Sequence, residues 1–225
     1  MSAYHLDLKK LPLQWLREKI ASHEIVPARR ILQEKMPERF AALREAGTET
    51  VADLVCALKT RDRISSFAGR TGLPAEYLVW LGREARSYKP NPFALREIPG
   101  VDPELIARLE SAGIKTTKAL FDRAATRAER LRLAEDAGAS EESVLELVRL
   151  ADLARIRGMG KTFVRLFSES GAAGVAELAA CDPVDLHERL YAINEKRKLS
   201  GVVPSLKDVR EYVEMANELP KIVDP

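Results

Sequence analysis

Cysteine, histidine and long apolar runs are scarce in this 225-residue sequence, and each scarcity removes a class of function. Its two cysteines, Cys56 and Cys181, are isolated, which fits neither a disulfide framework nor the paired spacing of a zinc site. Both are expected as small buried hydrophobes on apolar helix faces. The three histidines, His5, His23 and His187, are scattered, and none stands at i, i+4 from another ligand type, so no metal is expected. No Ser-His-Asp set, Cys-His pair or carboxylate dyad can be placed on a common face, and the chain reads as a non-enzyme without a cofactor. No apolar run reaches the roughly eighteen residues that span a bilayer, and Met1 to Lys10 lacks the apolar core of a secretory signal. The expectation is a cytoplasmic protein with no membrane contact. Net charge is also small, +2 at neutral pH, so any nucleic-acid binding has to come from local clusters rather than bulk electrostatics.

What the sequence does contain is helix formers and a repeat. Apolar residues recur at spacings of three and four rather than alternately, which predicts an all-α fold. Only Tyr4, Leu6 and Leu8 come near an extended arm. A block of about sixty residues occurs three times, the kind of period that signals a repeat architecture. At an offset of 66, Pro37, Leu43, Gly47, Thr50, Leu54, Gly72, Leu81 and Ala85 fall on Pro103, Leu109, Gly113, Thr116, Leu120, Gly138, Leu147 and Ala151. At an offset of 58, Ile98, Gly100, Gly113 and Leu120 fall on Ile156, Gly158, Gly171 and Leu178. Beyond Glu195 to Gly201 the offset becomes 65, so the third copy carries a seven-residue insertion.

The expected organisation is an N-terminal part, residues 1–88, with an amphipathic lead-in helix from near Pro12 to Ser22 and a first, degenerate repeat from about Arg29. Lys89-Pro90-Asn91-Pro92 breaks it off, because two prolines within three residues disfavour helix. Residues 93–225 then hold repeats 93–152 and 153–225 with no linker between them, which predicts that these two pack as one domain. Within each unit Gly47, Gly113 and Gly171 suit a left-handed helix cap. Thr50, Thr116 and Gly174 open the next helix, with Asp53 and Glu177 placed to close a capping box.

The three hairpin turns differ in shape and charge. The third reads Ile156-Arg157-Gly158-Met159-Gly160-Lys161-Thr162, two glycines flanking an apolar plug, followed by amides at a helix start that suit a phosphate oxygen. Arg155, Arg157, Lys161 and Arg165 surround it with no acidic residue from Leu153 to Ser168, a local charge of +4. The second, Leu95 to Glu110, carries a local charge of −2, and Asp102 stands in place of the second glycine. The first, Arg29 to Arg44, is at +3 but Glu34-Lys35-Met36 has no glycine: it is basic without being shaped. Lys196-Arg197-Lys198 in the insertion adds a second basic element, whose plainer reading is a solvated loop. Gly160-Lys161-Thr162 also suggests a nucleotide-binding P-loop, but Arg155 occupies the position of that motif's first glycine and the context is helical.

With these turns the chain resembles the helix-hairpin-helix superfamily, and Phe40 to Leu54 is similar to the hairpin in the carboxy-terminal domain of the alpha subunit of RNA polymerase. Leu95 to Val223 resembles a bacterial domain family of unknown function built from two such hairpins. The landmarks are Ile98-Pro99-Gly100-Val101, Ala112-Gly113-Ile114-Lys115-Thr116, Ala151-Asp152-Leu153 with Arg155-Ile156, Leu186-His187, Asn194-Glu195 and Glu218-Leu219-Pro220. The segment with Pro27-Ala28-Arg29-Arg30-Ile31-Leu32 looks like an additional unit beside that domain. The resemblance implies an all-helical fold of three tandem helix-hairpin-helix repeats and, by analogy, contact with DNA or RNA through the turns; it brings no catalytic residues.

The sequence therefore leads to a non-enzymatic protein gripping the nucleic-acid backbone through Arg155, Arg157, Gly158, Met159, Gly160, Lys161, Thr162 and Arg165, with Lys196, Arg197 and Lys198 beside them. The alternative is a helical-repeat scaffold for protein partners, which exposure of Tyr77, Trp80, Tyr191 or Tyr212 would favour.

Overall fold

The computed structural model describes residues 3–22 and 27–224, so His23 lies outside the described residues. The chain is all-α, and no strand occurs among the described residues. Helix α1 (Leu13–Ser22) and a 3-10 turn (Pro27–Leu32) precede α2 (Met36–Glu45), α3 (Val51–Ala57), α4 (Arg61–Thr71) and α5 (Ala75–Ser87). A second 3-10 turn (Leu95–Glu97) precedes α6 (Pro103–Ser111), α7 (Thr117–Ala124), α8 (Arg127–Ala137) and α9 (Glu141–Leu153). Then come α10 (Lys161–Glu169), α11 (Val175–Ala179), α12 (Pro183–Arg197) and α13 (Leu206–Glu218). The helices divide into two compact units, one of Leu6–Tyr88 and one made of the described residues of Met1–His5 and Lys89–Pro225.

Local chemistry sets the helix ends. Gly47, Gly113 and Gly171 adopt φ of 82°, 84° and 92°, the left-handed turn that lets a short helix reverse into the next one. Thr50 and Asp53 form a reciprocal capping box at the start of α3, and Thr116 accepts the Ala119 amide at the start of α7. Gly174 has no side chain with which to cap α11. Its place is taken by Asp152 at the end of α9, whose Oδ2 accepts the Val175 amide at 2.8 Å. A Cβ on Gly174 would lie 3.3 Å from that oxygen and 2.9 Å from Glu177 Oε2, so glycine is what admits the carboxylate. Glu177 closes no capping box and instead pairs with Arg149 at 3.5 Å.

The seven-residue insertion is only partly a loop. Lys196 and Arg197 extend α12, where basic side chains in the last turn complement the helix dipole. Lys198 ends the helix in the left-handed region at φ 53°. Asn194 then fastens the chain beyond it, accepting the Ser200 amide at 2.8 Å and donating to the Ser200 carbonyl at 2.9 Å.

In the N-terminal unit Leu13, Leu16 and Ile20 of α1 join Phe40, Leu43, Val51, Leu54, Phe67, Leu78 and Leu81 in the core. Tyr77 is fully buried there under the Arg39 guanidinium, 4.4 Å from the ring centroid, and its hydroxyl has no hydrogen-bond partner. The cysteine expectation is corrected: Cys56 lies on the solvent side of α3 because Val51, Leu54 and Leu58 take the inner face, and Cys181 is half-buried just beyond α11.

In the second unit α7 packs on α8 and α9, α11 and α12 pack on α13, and α10 fills the space beside α9 and α12. No extended arm forms over Tyr4, Leu6 and Leu8. Residues 3–5 are a turn in which Tyr4 is fully buried, its hydroxyl 2.8 Å from Thr117 Oγ1 and its ring edge-on to Phe121. Burial pushes the Tyr4 phenol up to about 12.

The two buried tyrosines give a matched test. Tyr4→Phe leaves the buried Thr117 hydroxyl without its partner and is expected to lower stability by about 1–2 kcal/mol, whereas Tyr77→Phe removes an unbonded hydroxyl and is expected to be neutral or stabilising. Urea denaturation midpoints of the two variants check this, and equal losses would contradict it.

Candidate nucleic-acid interface

The third bend turns outward. Gly158 and Gly160 are exposed, Gly158 at φ 80°, and Met159 between them is buried as the plug of the turn. Tyr212 of α13 bounds one side, its hydroxyl 3.5 Å from the Gly158 carbonyl and its ring edge-on to Phe167. Gly160 caps α10 with backbone alone, and no acidic residue lies in the first turn of that helix. At the equivalent point of the second bend Asp102 Oδ1 accepts the Glu104 amide at 2.9 Å, so the start of α6 already holds a carboxylate. Thr162 is half-buried behind Lys161.

The arginines around the bend do not face solvent as the sequence suggests. Arg155 is 1% exposed. Its guanidinium pairs with Asp152, donates to the carbonyls of Tyr4 at 3.1 Å, Ala3 at 3.2 Å and Pro220 at 2.9 Å, and lies 4.6 Å over the Phe121 ring. Arg165 is 7% exposed, donating to the Pro99 carbonyl at 2.7 Å and to Glu146 at 2.5 Å, with its guanidinium against Gly100. Both are corrections to the candidate interface: these cations brace the domain from within. Arg157 is half-buried and its amide donates to Met215 Sδ.

Lys161 remains outward, its side chain 53% exposed and 3.6 Å from Glu97. An exposed pair of this kind holds about 0–1 kcal/mol and yields to a competing anion. Lys196 and Lys198 are exposed, while Arg197 pairs with Glu169 at 3.4 Å. Glu169 ends α10 and Lys161 begins it, about 12 Å away at the helical rise. The insertion thus approaches the far end of α10 and forms no single stripe with the bend. Sequence reasoning missed the neutralising partners because Glu97, Glu146, Asp152 and Glu169 all lie outside the window that surrounds the turn. The signal for Arg155 was present: Val144, Val148, Ala151 and Arg155 share one helical face, and the first three are buried.

Asp152 is perturbed by its burial. Desolvation raises the Asp152 carboxyl above its ordinary value, opposed by Arg155 and the Val175 amide. His5, next to Tyr4, is lowered to about 4 by burial and then by the positive charges of Lys89, Lys118 and Arg155. Among the described residues no group of three or more His, Cys, Asp or Glu is placed to hold a metal ion, and no helix is long and apolar enough to cross a membrane.

A family model for a domain of unknown function (DUF4332) matches residues 99–219, just over half of the chain. The chain belongs to this family. No curated protein and no solved structure matches it. The family domain begins at the second bend and ends beside Pro220, so it takes in both bends, the Asp152–Arg155 pair and α13.

Two measurements follow from this geometry. Arg155→Leu strands Asp152 in a buried site and removes a donor from each of three carbonyls, with an expected loss of about 3–5 kcal/mol that Asp152→Asn in the same chain partly restores. Urea unfolding of the single and double variants measures both terms. Separately, His5 takes up a proton near pH 6.5 when unfolded but only near pH 4 when folded, so stability falls as pH drops through that window. His5→Phe is expected to flatten the stability profile between those pH values, and an unchanged profile contradicts the assignment.

Proposed function

We propose that this protein is non-enzymatic and holds nucleic acid by its sugar–phosphate backbone, without reading base sequence. On this reading the groups α2–α5, α6–α9 and α10–α13 are three helix-hairpin-helix repeats. The observation that carries it is the contrast between the second and third bends. The first amides of α10 follow two exposed glycines with no side-chain cap, Lys161 stands beside them, and the corresponding position in the second bend is filled by Asp102. Unpaired amides at the positive end of a helix favour a phosphate oxygen. The contact set is smaller than the sequence suggests: Gly158, Gly160, Lys161 and Thr162 form it, and Arg155 and Arg165 do not belong to it.

A protein-interaction scaffold is the second reading, and α12 favours it. Val184 and Tyr191, seven residues apart on one face, are 44% and 49% exposed, and the His187 ring packs edge-on to Tyr191. Tyr77 is buried, which removes it from this surface.

Titration of short duplexes of unrelated sequence at two salt concentrations separates the readings. Backbone binding predicts similar affinity for every duplex, with Lys161→Ala reducing the log–log salt slope by about 0.9. Arg155→Lys is expected to change stability and leave that slope alone. Absence of duplex binding at low salt would reject the nucleic-acid reading and leave the scaffold.

A further inference from the structure

The one outward lysine of the third bend supports a salt slope of only about 0.9, and useful non-specific affinity takes several such contacts. If the proposed function is right, further cations with unengaged donors must lie elsewhere. Net charge is divided unevenly: Leu6–Tyr88 holds fifteen Lys and Arg against eleven Asp and Glu, a net +4, while the rest of the chain is at −2.

Several guanidiniums of the N-terminal unit are engaged internally. Arg39 donates to the Ile31 carbonyl at 2.5 Å, Arg63 to Cys56 at 2.9 Å and Arg86 to Leu58 at 2.9 Å. Arg29 and Arg83 are held differently, and Arg30 follows Arg29 in the same 3-10 turn. The half-buried Trp80 ring of α5 has the guanidinium carbon of Arg29 at 5.6 Å and that of Arg83 at 4.9 Å from its centroid. Arg29 is 46% exposed, with Glu84 at 3.8 Å as a loose partner. Arg30 and Arg83 are exposed and have no carboxylate partner among the described residues. A guanidinium resting on an aromatic ring is fixed by its face, while its N–H donors lie in the plane and remain available for a bidentate contact with phosphate.

We propose that Arg29, Arg30, Arg83 and Trp80 form a binding surface for single-stranded nucleic acid, the arginines taking phosphates and the tryptophan–guanidinium cluster offering planar surface to unstacked bases. A duplex keeps its base faces inside, so the aromatic part of this surface is useful only to a single strand. An acidic peptide would satisfy the arginines alone and gain nothing from Trp80. The proposal rests on the nucleic-acid reading and adds to it a place and a strand preference.

Trp15 and Trp80 are the two tryptophans, so Trp15→Phe in the full chain makes Trp80 the single emitting indole. Trp15 packs edge-on to Tyr88, a contact that phenylalanine can keep. A short single-stranded oligonucleotide is expected to quench Trp80 emission and to bind more tightly than the same sequence as a duplex or than polyglutamate. Arg30→Gln with Arg83→Gln should lower the single-strand salt slope by about 1.4, two contacts at about 0.7 each. Trp80→Leu should weaken single-strand binding by about tenfold while moving duplex binding little. Circular dichroism verifies that each variant is folded. Equal binding of polyglutamate, equal binding of duplex, or an unchanged slope in the double variant overturns this surface. If the slope is unchanged there but falls in Lys161→Ala, this surface fails and the bend stands. If no nucleic acid binds at all, both fail.

Discussion

Placing a guanidinium and a carboxylate side by side away from water is favourable only where the remaining donors and acceptors are also engaged. Arg155 and Asp152 meet that condition. The arginine donates to three backbone carbonyls as well as to the carboxylate, and the second Asp152 oxygen accepts the first amide of α11. Through these bonds one ion pair joins residues 3–4, the end of α9, the start of α11 and Pro220 after α13, with Phe121 of α7 beneath the guanidinium. Segments far apart in sequence meet at this cluster, so its integrity is a condition for the arrangement of the bends around it.

The same pair explains how the third group of helices can dispense with a local cap. Where α3 and α7 begin with threonine, α11 begins with Gly174. The missing side chain opens room for Asp152, and the cap becomes a long-range contact rather than a neighbouring one. A substitution that reads as the loss of a helix signal is, in three dimensions, the exchange of a local bond for one that fastens two helices together. The bend itself shows the opposite exchange. Asp102 gives α6 a local carboxylate, and Gly160 leaves α10 without one, so two turns of similar outline present different electrostatics to solvent.

Much of the secondary structure could be read directly from the residues. Apolar spacing placed α1, Thr50 and Thr116 cap α3 and α7 where the sequence puts them, and the left-handed glycines are at the turns. The candidate site was less legible, for a reason specific to charge. A local count treats every lysine and arginine near a turn as outward. Periodicity contradicts that for Arg155, which continues the buried face of Val144, Val148 and Ala151. No local pattern identifies Arg165, because its partners Pro99 and Glu146 come from the second bend and from α9. Cys56 shows the converse: an apolar residue type on a short helix whose inner face was already filled.

Exposure and donor occupancy together sort the cations better than sequence clustering does. Arg39, Arg155 and Arg165 donate to carbonyls and carboxylates of their own fold, Arg165 through Nε and Nη1, and their charge is part of the core's internal balance. Arg29 and Arg83 are restrained through an aromatic face, an interaction worth about 0.5–1 kcal/mol at an exposed site, which positions the fork without using it. Pre-positioning of this kind lowers the entropy lost when an anion binds, since the guanidinium plane is already set. By that criterion Arg155 and Arg165 of the most basic turn belong to the core while Lys161 faces solvent, and in the first repeat it is Arg29 that Trp80 sets in place.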